Sequence, residues 1–540
     1  MKVLVVGGYG VFGERLARLL LRDGHQVTVA GRDLAKAKAL AAQLGCGAQR
    51  IDRKGNLGTL ADHDVVIDAA GPFQMQGDDP WRLVRAAIRA RVHYLDLSDS
   101  ADFCTGISVM DREAKAAGVC VISGLSTVPA LSSAAVHALA AGQTPRVIDV
   151  AVLPGNRSPR GISVMTTILS YAGRPMPVWR GNQWDWATGW SNPARYRLPG
   201  GIVRQGWMIP VPDLHLFPAH FGAETVLFRA GLELAVMRYG LAAFAALRRV
   251  VPVPVTRPVV RAFKWAADLL SPFGSGRGGM SVMVIAGGER RFWRLLAEDG
   301  DGPFIPAVAT RALLRRSSLP VGAAPALTAI TLEEAEAAMS DLRVRSERAV
   351  EPFCPIFPQV LGQDFAALPD PVRATHLTAG QTHWLGRATV TRGKGLWGRF
   401  LCLLFRFPAQ AEDVRAEVTK TATASGEVWQ RRFGRQGFRS RLAAGSGGIT
   451  ESFGLFTFLL ALTVQDGALH YSVAAGRLGR LPLPRWLLPV SRSREYVRDG
   501  VFHFDVKLLA PLTREVVVHY RGFLSAARRG DPARVPASRV

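Results

Sequence analysis

The chain has 540 residues, 48% of them hydrophobic and 20% charged, which describes an ordered globular protein too long for a single hydrophobic core. Its net charge of +24 comes from scattered arginines, with no dense Lys/Arg tract, zinc-ligand spacing or aromatic-basic signature. That pattern argues against a nucleic-acid partner and leaves open a peripheral contact with anionic lipid. Cys46, Cys104, Cys120, Cys354 and Cys402 form no C-x-x-C pair and read as reduced thiols of a cytoplasmic protein, neither a disulfide framework nor a metal site.

The opening stretch, Met1 to Asp33, carries the strongest local pattern. Val3 to Val6 is an apolar, β-branched run that predicts a buried strand of a parallel sheet. It breaks into Gly7-Gly8-Tyr9-Gly10-Val11-Phe12-Gly13, with G-x-G-x-x-G at Gly8, Gly10 and Gly13. Leu16, Leu19 and Leu20 then recur at helical spacing, Gly24 is a C-terminal stop, and Gln26 to Ala30 is a second strand. Strand, glycine turn, helix and strand within about thirty residues form a βαβ nucleotide-binding unit. Backbone groups of Gly7, Gly8, Gly10, Val11, Phe12 and Gly13 are then placed to receive a pyrophosphate at the positive end of the helix. The second strand ends in Ala30-Gly31-Arg32, without the acid that binds the ribose 2′-OH of NAD. Arg32 suits a 2′-phosphate, so NADP is favoured over NAD. The competing reading makes Arg32 a solvated surface side chain and gives the ribose to Asp33. A chain that opens on a strand leaves no room for a signal peptide. The apolar stretches Leu232 to Val255 and Gly454 to Val464 fall short of a bilayer span, the first through its charges and the second through its length.

A helix over Leu34 to Leu44 follows, then strands at Val65 to Ala70, His93 to Leu97 and Val119 to Ser123, with a helix around Arg112 to Ala117. This alternation predicts an α/β fold with a Rossmann-like, doubly wound parallel sheet. Ligands of such sheets bind at the carboxyl ends of the strands, which brings Ala70, Gly71, Pro72 and Phe73, then Asp96 to Asp99 and Gly124 to Thr127, to the rim of the glycine turn. Ala70, Gly71, Pro72 and Phe73 are expected to line the nicotinamide side. Asp96, Ser98 and Asp99 are the polar candidates for catalysis there, although Asp96 suits a backbone cap as well as an acid or base. Beyond the strand Val147 to Leu153 and the segment at 160–170 comes a tryptophan cluster, Trp179, Trp184, Trp186 and Trp190. It can wall a flat apolar pocket or pack a core. Leu234, Met237, Leu241 and Phe244 predict a helix packed on the sheet edge. Met280 to Ala286 predicts a strand, and Ala307 to Arg316 a helix that returns the chain to the first sheet. Leu332 to Arg343 predicts a helix capped by Thr331. Prolines at 352, 355, 358, 369 and 371 predict a linker near 345 to 365.

From there the pattern is of strands: Gly386 to Thr391, Arg415 to Thr423, Gly426 to Phe433, Gly437 to Leu442, Leu469 to Ala475, Val501 to Val506 and Glu515 to Tyr520. Trp397 to Phe407 and Pro484 to Leu488 supply apolar helical pieces. In Glu427 to Phe433 one face carries Val428, Gln430 and Arg432 and the other Trp429, Arg431 and Phe433, an imperfect alternation. A curved sheet with apolar helices could enclose a hydrophobic ligand.

The motifs GGYGVFG, DAAGPF (Asp68 to Phe73), HYLDLSD (His93 to Asp99) and GLSTVPALS (Gly124 to Ser132) resemble the saccharopine dehydrogenase-like family over roughly residues 1 to 345. Asp99-Ser100 and Ser126 to Pro129 depart from that family's usual loops, which speaks against saccharopine itself as substrate. From about Leu361 to Leu524 the chain is similar to a domain of unknown function (number 4166), through LGQDFAALP, the glycines at 393 and 395, FGLFTF, PRWLLP and HYRGFL. The resemblance implies three domains: a Rossmann NAD(P)-binding domain at 1–125, an inserted mixed α/β second domain at 126–345, and a β-rich C-terminal domain at 360–526. It implies an NADP-dependent oxidoreductase that passes hydride to or from a small or apolar substrate. The alternative is an NADP(H)-binding protein without turnover, whose C-terminal domain binds lipid or a protein partner.

Overall fold

The computed structural model describes residues 1–55, 57–75, 79–159, 161–251, 253–423 and 425–536. It divides into two compact units, one holding Met1–Trp179 and Trp184–Glu351, the other Pro352–Gly530 with the short stretch Arg180–Gln183.

The first unit opens with β1 (Lys2–Val6), α1 (Val11–Arg22), β2 (Gln26–Gly31), α2 (Leu34–Leu44) and β3 (Gly47–Arg50). It continues through β4 (Val65–Asp68), α3 (Arg82–Arg89), β5 (His93–Asp96), α4 (Ala101–Gly106), α5 (Asp111–Ala117), β6 (Cys120–Ser123) and α6 (Ser132–Ala140). These strands pair in parallel in the order β3-β2-β1-β4-β5-β6. Leu16, Leu19 and Leu20 of α1, with Val3, Val5 and Ile67, bury one face of the sheet. Leu83 and Val84 of α3, with Leu4, Val66 and Tyr94, bury the other. Strands that are buried on both faces explain the unbroken apolar runs in the sequence, and the doubly wound sheet is the architecture they predict.

The chain then builds a second, mixed sheet from β7 (Val147–Leu153), β8 (Pro175–Arg180), β9 (Gln183–Thr188), β10 (Ala194–Arg197), β11 (Val203–Met208) and β12 (Thr225–Gly231), with α7 (Ile162–Tyr171) and α8 (Pro212–Phe221) between them. Arg160, which opens the 160–170 segment, lies outside the described residues. α9 (Ala235–Val250) and α10 (Arg257–Leu269) follow. Leu241 packs with Leu169, Trp190, Val260 and Trp207 of β11 in a satellite cluster, which sets α9 among helices and tryptophans beside that end of the mixed sheet. Residues 278–286 and 289–297 form the hairpin β13 (Gly278–Ala286) and β14 (Glu289–Ala297). α11 (Ile305–Leu314) returns the chain to the first sheet, where β15 (Gly322–Pro325) adds in parallel beside β6. α12 (Leu332–Ala338) starts in a capping box between Thr331 and Glu334, and is shorter than its sequence pattern. The expected linker instead holds β16 (Val344–Pro352), the last strand of the mixed sheet, and α13 (Ile356–Leu361).

The second unit continues with α14 (Asp370–His376), β17 (Gln381–Arg392), α15 (Leu396–Leu404), β18 (Ala411–Thr423), β19 (Gly426–Phe433), β20 (Gln436–Gly445), β21 (Gly448–Phe453) and β22 (Phe456–Gln465). Then come β23 (Ala468–Leu478), the two-residue β24 (Leu481–Pro482), β25 (Val490–Arg498), β26 (Val501–Leu509) and β27 (Val516–Ala526). The antiparallel ladder runs β22-β21-β20-β19-β18-β17-β27-β26-β25-β23, and β23 pairs back onto β22 to close a barrel, with β24 appended to β23. Closure leaves the ten ring strands no free edge. In β19, Glu427, Trp429 and Phe433 are buried and Arg431 lies on their side of the strand. The imperfect alternation thus records polar residues placed inside a barrel.

Candidate active site at the rim of the parallel sheet

Gly7 has φ +75°, a backbone conformation that glycine adopts without strain. At Gly13 an added Cβ would lie 2.3 Å from the Gly7 carbonyl oxygen, so only glycine lets α1 approach the end of β1 this closely. The amides of Gly7 and Gly8 both donate to Ala30 O, at 2.8 and 3.1 Å, and that of Gly10 donates to Gly7 O at 2.9 Å. These glycines therefore shape the turn. The amides of the first turn of α1, Val11, Phe12 and Gly13, lack intrahelical acceptors, and no side chain caps them at the N-cap Gly10. An uncapped N-terminus behind a glycine cradle fits the diphosphate of a dinucleotide.

At the end of β2 the Tyr9 ring lies over Gly31, and its hydroxyl accepts the Asp33 amide at 3.2 Å. Asp33 accepts the Lys36 amide at 3.1 Å as N-cap of α2. Its carboxylate is thus engaged by the helix it starts, while Arg32 is exposed beside Gly31.

The A-G-P-F turn follows β4. Arg53 pairs with the buried Asp68 and donates to Ala70 O, which ties the turn to the sheet. Ala70 and Pro72 are half-buried and Gly71 is exposed, so the turn itself lies open. Phe73 does not line that opening. It is 5% exposed and packs on Phe103 at 5.1 Å under the Arg53 guanidinium.

Asp96 and Ser98, expected at the substrate face, have no exposed surface. One Asp96 oxygen accepts three bonds, from the Ser98 amide at 2.9 Å, the Gly124 amide at 2.8 Å and the Ser123 hydroxyl at 3.0 Å. Asp96 thereby stitches the ends of β5 and β6 together. Burial pushes its carboxyl up to about 7, against the pull of these bonds. Ser98 Oγ accepts the Ser100 amide at 3.2 Å. His93 is also structural, with Nδ1 accepting the Cys120 amide at 2.9 Å.

Asp99 is the acid of this loop that reaches the surface. Its Oδ1 accepts the Gln74 side-chain amide at 3.2 Å, and its pKa is raised by burial in spite of that bond. Two side chains from the second sheet's helices feel the charges of this region. Tyr171, the last residue of α7, has its pKa raised by burial and then by the charges of Asp102 and Asp99. His215 on α8 is held below the usual imidazole range by burial, which Asp102 partly offsets. His215 lies edge-on to Trp184, 5.9 Å between centroids, and Trp184 edge-on to Trp179 at 5.4 Å. Trp179 is fully buried with its indole N–H on Ala223 O at 2.8 Å, and Trp190 stacks on Trp207 at 5.9 Å. Packing therefore accounts for Trp179 and Trp190, while Trp184 is the member that stands beside a polar group. Among the described residues no group of three or more His, Cys, Asp or Glu side chains is arranged to hold a metal ion, and no helix is long and apolar enough to cross a membrane.

Fold and glycine turn define a dinucleotide-binding domain. Residues 3–122 match the model of the saccharopine dehydrogenase NADP binding domain, and residues 368–524 match that of a domain of unknown function, DUF4166. The N-terminal part is thus similar to the NADP-binding domains of dehydrogenases. No curated protein matches the chain. Apo saccharopine dehydrogenase (L-Glu forming) from Saccharomyces cerevisiae is a similar solved structure, 16% identical with a TM-score of 0.44, covering 64% of this chain and 99% of that one. A putative myo-inositol dehydrogenase from Sinorhizobium meliloti is 13% identical with a TM-score of 0.25, covering 43% of this chain and 70% of its own. A short-chain type dehydrogenase/reductase from Mycobacterium ulcerans is 16% identical with a TM-score of 0.20, covering 23% and 65%.

Proposed function

We propose that the chain is an NADP-dependent oxidoreductase acting on a small or apolar carbonyl, imine or activated alkene. The observation that carries this reading is the uncapped first turn of α1 behind the Gly7–Gly13 crossing, within a domain that matches an NADP-binding model. Val11, Phe12 and Gly13 amides hold the diphosphate, and Arg32 holds the 2′-phosphate, with Asp33 already committed to its helix cap. NADP, when bound, supplies or receives the hydride. Ala70, Gly71 and Pro72 form the wall beside the ring. Asp99, its carboxyl raised by burial and oriented by Gln74, exchanges a proton with the substrate, and Tyr171 and His215 position the reacting group. Asp96 and Ser98 act by holding the loop that carries Asp99.

The test is NADPH binding to the purified, nucleotide-free chain, followed by NADPH absorbance across a panel of carbonyls and imines. Saturable binding with turnover of some member supports the reading, and absence of binding overturns it. The withdrawal of Asp96 and Ser98 into backbone bonds favours a second reading, binding without turnover. Tight binding with no oxidation across the panel would select it.

A further inference from the structure

The C-terminal barrel holds a partly open cavity of about 170 Å³, somewhat larger than the roughly 150 Å³ apolar cavity that accepts benzene. Trp384, Phe433, Phe438, Phe453, Phe502 and Phe504 are among its walls. Four charged side chains also line it: Lys420, Arg431, Glu451 and Glu495. Three of them are engaged in close pairs. Arg431 bonds Glu451 at 3.1 Å and Ser440 at 2.8 Å, and Glu495 takes His376 Nε2 at 2.6 Å and the Tyr471 hydroxyl at 2.7 Å. Lys420 is different. It is 3% exposed, its Nζ donates to Thr375 O at 2.6 Å and lies 3.8 Å from the centre of the Trp429 ring. Among the described residues no carboxylate stands within ion-pair distance of it, although Glu495, Glu427 and Arg431 act on it at longer range.

An ammonium has three donors, and one carbonyl with one ring face leaves capacity unused. The four lining charges sum to zero, and Glu427, buried near Lys420, adds a further carboxylate to the barrel's interior. An anionic guest would therefore bury a net charge, and a hydrocarbon would leave the Lys420 donors unmet. We propose that the barrel binds a small, neutral, mainly aromatic or apolar molecule bearing one hydrogen-bond acceptor, a carbonyl above all, with that oxygen on Lys420 Nζ and its body among the aromatic walls.

Three near-isosteric probes test this on the full chain by ¹⁹F NMR: 4′-fluoroacetophenone, 1-ethyl-4-fluorobenzene and 4-fluorobenzoate. The ketone is expected to bind saturably, about tenfold or more tighter than either the hydrocarbon or the carboxylate, as one hydrogen bond to a buried charge implies. Lys420→Met should bring the ketone to the hydrocarbon's affinity. Leu442→Trp, which fills the cavity from β20, should abolish binding of all three with NADPH binding unchanged, so that occupancy of the N-terminal site is told apart. No saturable binding, a carboxylate that binds as tightly as the ketone, or a ketone affinity indifferent to Lys420→Met would each overturn the assignment.

A separate observation concerns α15. Its outward stripe is Leu396, Phe400 and Leu403, exposed by 84, 52 and 78%, flanked by the stacked Trp397 and by Leu404. Gly398 and Cys402 form its buried side, and Glu515 receives the Gly398 amide. Exposed Lys394, Arg399 and Arg406 surround the stripe, and residues 393–411 contain no acid. An outward apolar face ringed by cations has the chemistry of an interfacial helix. We infer that α15 docks on an anionic lipid surface. In co-sedimentation the full chain should bind vesicles of phosphatidylcholine with a quarter phosphatidylglycerol, more weakly as salt rises. Binding should fall at least tenfold for Leu396→Ser/Phe400→Ser/Leu403→Ser. Equal binding by the triple variant, no binding to these vesicles, or a dimer in solution that the triple variant dissolves would refute it, the last in favour of a second copy of this chain.

Discussion

Replacing Asp96 by alanine strands three buried donors at once: the Ser98 and Gly124 amides and the Ser123 hydroxyl. At about 1–2 kcal/mol for each unmet donor the loss is about 3–6 kcal/mol, a large share of a domain's stability. Asp96→Asn keeps the accepting oxygen and puts an amide where the second carboxylate oxygen has no partner, so its cost is about 1–2 kcal/mol. The two variants also differ in pH response. Burial holds the native carboxyl at about 7, above its ordinary value near 4, so between those values the native state binds more protons than the unfolded one. The contribution of Asp96 is therefore full below about pH 4 and falls as pH rises toward 7, and the asparagine variant lacks that decline. Urea unfolding at pH 5 and pH 8 measures both effects. A loss below about 1 kcal/mol in Asp96→Ala, or an unchanged pH slope in Asp96→Asn, would refute a structural role for this carboxyl.

Gly13→Ala drives a Cβ against Gly7 O and the Gly8 Cα, and should reduce NADPH affinity at least tenfold in equilibrium titration with the barrel's ¹⁹F ligand response unchanged. Arg32→Ala should weaken NADPH by about 10- to 100-fold, the size of a charge-assisted bond, and leave NADH unaltered. Asp99→Asn should lower turnover without changing the NADPH dissociation constant, separable in single-turnover absorbance experiments. Arg311, 2% exposed, bonds both oxygens of Asp23 and also Asp341. Arg311→Met should destabilise by about 3–5 kcal/mol in urea at neutral pH. Asp23 is depressed by these arginine bonds against the effect of burial, so the pair's contribution is present above the ordinary carboxylate pKa and is lost as acid titrates it. The gap between wild type and variant should narrow below about pH 4.

The parallel sheet was legible because its strands are buried on both faces and need no alternation to be seen, as Val3 to Val6 and Val65 to Ile67 show. The short β3 was not, since Gly47, Ala48, Gln49 and Arg50 are partly or largely exposed at the sheet's edge. β14 reads as Glu289-Arg290-Arg291-Phe292, whose charges are spent on ion pairs, Arg291 with Glu289 and Arg290 with Glu351, and so hide the hairpin from a polarity count. The prolines at 352, 355 and 358 suggested a linker; the two units do part at Glu351/Pro352, but Pro352 ends an edge strand and Pro355 starts a helix, so the boundary is structured.

The candidate site was legible to the extent that one loop could announce it. The glycine cradle and Asp99 lie on continuous stretches, whereas Tyr171 and His215, which feel the charge of Asp102, stand 69 and 113 residues beyond it on other helices. No spacing in the sequence joins them, because that meeting is made by the return of the chain through a second sheet. Asp96 shows the converse. An acid at the end of a parallel strand looks the same in sequence whether it faces substrate or ties two strands together, and only the three donors converging on one oxygen decide it. The barrel's inner charges follow the same logic, for Arg431 and Glu427 break the apolar face of β19 because that face looks into a closed interior where each finds a partner in Glu451 or Trp429. Departures from the expected polarity pattern were therefore the places where the fold had put its buried chemistry.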